Sequence, residues 1–254
     1  MTETISHSIK ERIIYFIWQH TLLLISLYIM TLGVVLCIKS ALGSSVISSL
    51  PLAFSIAGTQ GLAPALSVGG YTIVMNFVFV IAQILLLRRR FEPVQLFQLL
   101  IGFVFGWFID LNMAATQWLV CEDIGTEALV QFAGCSVMGF GIAMEVKCGS
   151  VTMPGEGLPV AISRLTGAPF AKIKIMVDTT LVALAIASCY LFFGHWQWNI
   201  IGPGTLFAMV YVGIAVKLFT AHSLWFDHLL DYRPGFRRYL FGLARYLYKP
   251  THKN

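Results

Sequence analysis

Six stretches of about twenty residues, each almost wholly apolar, dominate this chain, and that is the length a helix needs to cross a ~30 Å hydrocarbon layer. They fall at about Trp18–Ile38, Gly69–Leu87, Leu96–Val120, Glu127–Val146, Ile173–Phe193 and Asn199–Ala221. Too little charge remains to clothe a water-facing surface. Of 254 residues, 57% are hydrophobic and 11% are charged, and the mean hydropathy is +0.79. Soluble domains carry roughly 25% charged residues. An ordinary cytosolic enzyme, a disordered regulator and a small disulfide scaffold are thereby excluded. The first run is too long for a signal-peptide core and no small-residue cleavage site follows it, so it is expected to stay as a span. Five cysteines without a C-x-x-C pair give neither a zinc site nor a disulfide framework.

The basic residues report orientation. With the N-terminus inside, 16 of the 17 Lys and Arg fall on the inner side, and only Lys39 lies outside. The acidic loop of Glu122, Asp123 and Glu127 lands outside. Cytoplasmic loops attract Lys and Arg in this way, so both ends are expected in the cytoplasm. Trp118, Trp196 and Trp198 suit an outer interfacial belt. After Ala221 the apolar residues Phe236, Tyr239, Leu240, Leu243, Tyr246 and Leu247 recur at helical spacing, with Arg237, Arg238, Arg245 and Lys249 on another face. The pattern predicts an amphipathic helix lying on an anionic leaflet, and it argues against a nucleic-acid arm.

Sliding the chain on itself by 108 residues aligns Gly33–Ser55 with Gly141–Ser163 without a gap, and six of 23 positions are identical, Lys39/Lys147 and Pro51/Pro159 among them. Further on, Asn76 aligns with Asp178, and a shift of 107 pairs Gly106 with Gly213 and Asp110 with Lys217. Each copy holds three spans, an odd number, so the copies enter the membrane from opposite sides. The expected fold is an all-α membrane protein of six transmembrane helices in two inverted three-helix repeats. The first repeat occupies 13–120 and the second 127–221, between a cytoplasmic N-terminus (1–12) and a basic amphipathic tail (222–254). Inverted repeats recur in secondary transporters, where the substrate site lies near the midplane at helices interrupted by Gly and Pro. Two such interruptions occupy matching places, from Lys39 to Ser55 and from Lys147 to Ser163. Both are too apolar for solvated loops and too short for a full span. Each is therefore expected to be a break followed by a re-entrant or tilted half-helix, whose N-terminus offers free N–H groups and the positive dipole end.

The Leu-Gly-Ser-Ser-Val-Ile-Ser-Ser-Leu-Pro stretch resembles the first-repeat signature of the bacterial YczE/YyaS/YitT-type integral membrane proteins. Met-Pro-Gly-Glu-Gly-Leu-Pro-Val-Ala-Ile-Ser, Phe105–Asp110 and Lys174–Asp178 resemble the same family. The likeness runs to about Ala221; a charged pair that many members carry before the Gly-Thr of the last span is replaced here by Gly202-Pro203. The resemblance implies a bacterial inner-membrane protein and brings no assigned substrate or reaction.

Charges inside spans are costly and usually face a cavity or a partner. Glu156, between two glycines after Pro154, is a candidate proton carrier or cation ligand, or else a cap on its half-helix. Asp178 stands four residues from Lys174, the spacing of a helical ion pair; it is a second proton-coupling candidate, and its repeat mate Asn76 reads more simply as interhelical glue. Lys39, breaking the charge rule, is a candidate to attract an anion or to pair with Glu145, Glu156 or Asp110; Lys147 reads as an anchor. Ser44, Ser45, Ser48, Ser49 and Thr152 complete the expected polar lining, some facing a cavity and the rest bonding backbone carbonyls. His20, His195 and His222 are isolated, and no nucleophile–base pair, phosphate loop or dinucleotide fingerprint appears, so neither an enzyme, a metal site nor a cofactor is expected. The sequence points to a secondary transporter or facilitator of a small polar metabolite, anionic or zwitterionic, with the lipid bilayer and the solute as partners. A homodimer is compatible with this reading. The alternative is a non-transporting scaffold or regulatory subunit acting through the tail and Arg88–Arg90.

Overall fold

The computed structural model describes residues 9–148 and 153–230. In chain order the helices are α1 (Ile9–Lys39), α2 (Val46–Thr59), α3 (Val68–Leu87), α4 (Phe97–Ala115), α5 (Ile124–Lys147), α6 (Pro154–Thr166), α7 (Phe170–Phe193), α8 (Pro203–His222) and α9 (Leu224–Leu230). Among the described residues there is no strand. Six helices among the described residues are long and apolar enough to cross a membrane: α1 from Phe16 onward, α3, α4, α5, α7 and α8. The protein is thus all-helical and of multi-pass membrane type. The predicted tail helix at 236–254 and the first eight residues lie outside the described residues.

Two boundaries differ from the expectation. The third span closes at Ala115 instead of Val120, and the sixth opens at Pro203 instead of Asn199. Pro203 takes the first helical position, where its missing N–H leaves no bond unmade. Ahead of it, Trp196 Nε1 donates to Ile201 O at 2.8 Å and holds 194–202 in a compact turn instead of a helix. At the other end of the third span, Thr116 turns its hydroxyl back onto Asn112 O at 2.7 Å.

The surface is that of a lipid-facing bundle. Leu85, Leu191 and Val210 are 68%, 79% and 66% exposed, while Ser26, Thr31, Asn76, Gln83, Gln98, Asn112 and Gln131 are buried. Hydrocarbon solvates outward leucines, whereas polar side chains must find partners inside.

At the centre α1 and α5 cross antiparallel, with Met30 against Gly141, Gly33 against Met138 and Cys37 against Gly134. The approach is backbone to backbone: a Cβ on Gly33 would stand 2.6 Å from Gly134 O, and one on Gly141 would stand 2.6 Å from Met30 N. Glycine at these positions is what permits it. α4 packs on α1, where Asn112 Nδ2 donates to Thr31 Oγ1 at 2.9 Å. α8 packs on α5, where Gln131 Nε2 donates to Gly204 O at 2.8 Å. α3 lies on α4 at Gly69 and Gly106, and Asp110 of α4 accepts from Gly69 N at 2.9 Å and from Ser67 Oγ at 2.6 Å.

The two short helices, of 14 and 13 residues, are about 20 Å long at 1.5 Å per residue, less than the hydrocarbon thickness. Each contains an internal proline, Pro51 or Pro159, which removes one helical hydrogen bond. α2 packs on α7 and α3, and α6 packs on α3 and α7.

Candidate functional site

The first break is a built turn. α1 ends at Lys39, Ala41 takes φ 61° and Gly43 takes φ +113° to reverse the chain. A Cβ on Gly43 would meet Gly202 N at 2.5 Å, so only glycine serves there. The turn is sewn to the start of α8: Ser44 N donates to Ile200 O at 3.0 Å, and Gly204 N donates to Leu42 O at 2.8 Å. Ser40 Oγ donates to Gln131 Oε1 at 2.6 Å. Much of this segment's backbone thus bonds within the protein, as irregular chain among membrane helices requires.

From that turn α2 begins at the N-cap Ser45, whose side chain makes no cap bond to the backbone. Its hydroxyl instead pairs with Ser48 Oγ at 2.7 Å, and Ser48 Oγ donates to Ser45 O at 3.0 Å. Ser49 Oγ donates to Val46 O at 2.8 Å, and Ser44 Oγ donates to Ile200 O at 3.0 Å. All four predicted serines are buried and all four hydroxyls are engaged locally. What α2 leaves without a side-chain cap is the backbone N–H row of its first turn.

α6 starts at Pro154 with Met153 as its N-cap, and Glu156 stands in its first turn. The carboxylate that approaches the amide of Met153 is Glu145 of α5, whose Oε1 accepts from Met153 N at 3.4 Å. Glu145 is 5% exposed and its Oε2 has no partner among the described residues. Glu156 is half-buried and lies within electrostatic reach of Glu145, Lys174 and Asp178. Lys174 Nζ donates to Asp178 Oδ1 at 2.9 Å, the i, i+4 pair the sequence spacing implied.

Polar groups of α3 and α4 close over the same turn. Gln83 Nε2 donates to Gln98 Oε1 at 3.0 Å, and a Cβ on Gly157 would stand 2.6 Å from Gln98 Oε1. A Cβ on Gly102 would lie 2.9 Å from Asn76 Cβ and 3.2 Å from Pro154 Cγ, which sets Asn76 beside the first residue of α6. Asn76 Nδ2 donates to Gly102 O at 3.4 Å across α3 and α4, while Oδ1 has no partner among the described residues. The first turns of α2 and α6 meet: a Cβ on Gly155 would stand 2.6 Å from Ile47 Cδ1.

Of the predicted residues, Glu156 stands at the start of α6 within electrostatic reach of Asp178 of α7, Asn76 lies beside Pro154, and the serines gather at the start of α2. Lys39 is not brought to the acids. It is half-buried at the end of α1 and makes no ion pair among the described residues. Asp110 is held by Ser67 and Gly69 instead. Lys147 is paired with Asp227 of α9 at 2.7 Å and donates to Ser223 O at 2.9 Å. Thr152 lies outside the described residues. Sequence reasoning did not place Glu145, Gln83 or Gln98 in the site; each is a buried polar residue in or beside a predicted span, and that alone was the available signal.

The chain matches no curated protein and no solved structure. Its residues 17–221 match the profile of a family of unknown function, DUF6198. That match spans both short helices and all six long ones, and the chain belongs to this family.

Proposed function

We propose that the protein is a secondary transporter or facilitator of a small zwitterionic metabolite, with its site where the first turns of α2 and α6 meet. That meeting carries the reading. Two helices too short to cross the membrane enter the bundle from separate breaks and touch, Ile47 against Gly155, with buried polar groups on both flanks. The uncapped amides of α2 suit a carboxylate, and the acids around α6 suit an ammonium group.

Several contacts support two inverted halves. Under the 108-residue shift the pairs Met30–Gly141 and Gly33–Met138 exchange into one another, and Ile47 exchanges with Gly155. α2 rests on α7 as α6 rests on α3. Such reciprocity is expected of elements related by a two-fold axis. The likeness breaks in one place. Gly106 closes α4 onto α3, while its counterpart Gly213 has no atom within 4 Å, and α7 barely touches α8. Two halves in unlike states are what rocking between access states requires, and the gap between α7 and α8 is then the open path. The resemblance to YczE/YyaS/YitT-type proteins and the Lys/Arg distribution favour a bacterial inner membrane with both ends cytoplasmic. Because Asp178 is already neutralised by Lys174, Glu156 is the stronger candidate for coupling.

The test is flux in proteoliposomes. Radiolabelled amino acids and other zwitterions are offered with and without a pH gradient, against protein-free vesicles. Gradient-driven uptake is expected, with Glu156→Gln abolishing the effect of the gradient and Asp178→Asn weakening it. Folded protein that moves no member of the panel overturns the reading.

A further inference from the structure

The geometry points to a binding site for a small monovalent cation, a sodium ion or a proton, between Glu145 and Glu156 at the start of α6. The site deepens the transport reading by naming the coupling species, and its occupancy is measurable without transport. Glu145 Oε2 is buried and has no partner among the described residues, although its sister oxygen accepts from Met153 N. Asn76 Oδ1, on a residue 2% exposed beside Pro154, is a second unfilled oxygen at the same turn. Buried oxygens are rarely left without a partner, so two of them flanking one turn indicate something that fills them.

The charges agree. Glu156 lies within electrostatic reach of Glu145, Lys174 and Asp178. Lys174 is committed to Asp178 at 2.9 Å, and Lys147 is committed to Asp227 at 2.7 Å and to Ser223 O at 2.9 Å. Among the described residues, the other groups packed around this end of α5 supply no cation. α1 contributes Gln19 and Ser26, both neutral and both turned towards Cys148. On α8, Lys217 is exposed and His222 is bound to Leu218 O. Two carboxylates thus remain against the positive end of one short helix, equivalent to about half a charge. A bound monocation neutralises most of what remains. Carboxylate and amide oxygens are hard donors of the kind that bind sodium, and a carboxylate also takes a proton.

The experiment is thermal unfolding of the purified full-length chain in detergent without solute, in sodium chloride or choline chloride, at pH 6 and pH 8.5. Filling the site at a hundredfold excess over Kd raises Tm by roughly 5–10 °C in a chain of this size. Sodium raising Tm at pH 8.5 identifies sodium; acid raising it equally in both salts identifies the proton. Either rise must vanish in Glu145→Gln, with Glu156→Gln as the second variant should the first not fold. A wild-type Tm indifferent to both, or the same rise in the variants, overturns the proposal. Protein that moves no solute yet shows the Glu145-dependent rise keeps the site and loses transport; flux without the rise does the reverse.

Discussion

Adding one methyl group at Gly33, and separately at Gly141 and Gly213, tests the central crossing. A Cβ on Gly33 would stand 2.6 Å from both Gly134 O and Met138 Cα, and one on Gly141 would stand 2.6 Å from Met30 N. Ordinary contact begins near 3.5 Å, so α1 and α5 must part by close to 1 Å. The obstacles are backbone atoms that cannot rotate away, which puts the cost at the upper end of the ~1–3 kcal/mol of overpacking. Replacing a helical glycine by alanine returns about 1 kcal/mol. The net loss is about 2 kcal/mol at each site, or roughly 4–8 °C in Tm for a chain of this length. Gly213 has no atom within 4 Å, so Gly213→Ala keeps only the gain and raises Tm by roughly 2–4 °C. The double variant Gly33→Ala/Gly141→Ala should lose less than the sum of the singles, because one separation of the helices relieves both contacts. Tryptophan fluorescence during thermal unfolding in detergent reads all four proteins. If Gly33→Ala and Gly141→Ala stabilise as Gly213→Ala does, the α1–α5 contact is not backbone to backbone, and the reciprocity behind the two-fold reading goes with it.

Two further outcomes are expected. Cys121 is the one half-buried cysteine and the other four are buried, so a maleimide should label Cys121 alone until the chain is unfolded in detergent. Burial, with Glu127 and Asp123 nearby, holds the Cys121 thiol above its usual value; its labelling at pH 8 should be slower than that of a free peptide thiol and should climb as pH rises, and Glu127→Gln should speed it. With this loop outside, an impermeant maleimide labels it in intact cells, and a failure there would reverse the orientation. Ser40→Ala should cost about 1–3 kcal/mol by orphaning buried Gln131 Oε1. Adding Gln131→Leu should not cost the full sum, and strict additivity in a double-mutant cycle would show that the pair does not interact.

The spans were legible because hydrocarbon asks one question of every residue, and a run such as Val68–Leu87 answers it locally. The breaks were legible for a related reason: Gly43 and Pro154 interrupt apolar sequence that could not survive as a wet loop. Partnership between polar side chains is another kind of property. Asp178 and Lys174 share one helix face, so spacing alone predicted their bond. Asp110 meets Ser67 and Gly69 only because α3 folds back on α4, and no count of charges separates that outcome from a bond to Lys39. Glu145 is the sharpest case. Two residues before the end of a span, it reads as a headgroup-level acid, yet the break beyond it returns the chain as α6 and encloses the carboxylate. The hydropathy that marks the break cannot say what the break covers. The serines at 44, 45, 48 and 49 behaved in the opposite way, since some were expected to face a cavity and all four hydroxyls proved committed to oxygens of the protein. Hence the polar residues with most freedom to bind are those whose local bonds fail to use them up; among the described residues Asn76, Gln95, Asn112 and Glu145 each keep one such oxygen, and of these Glu145 and Asn76 stand at the start of α6.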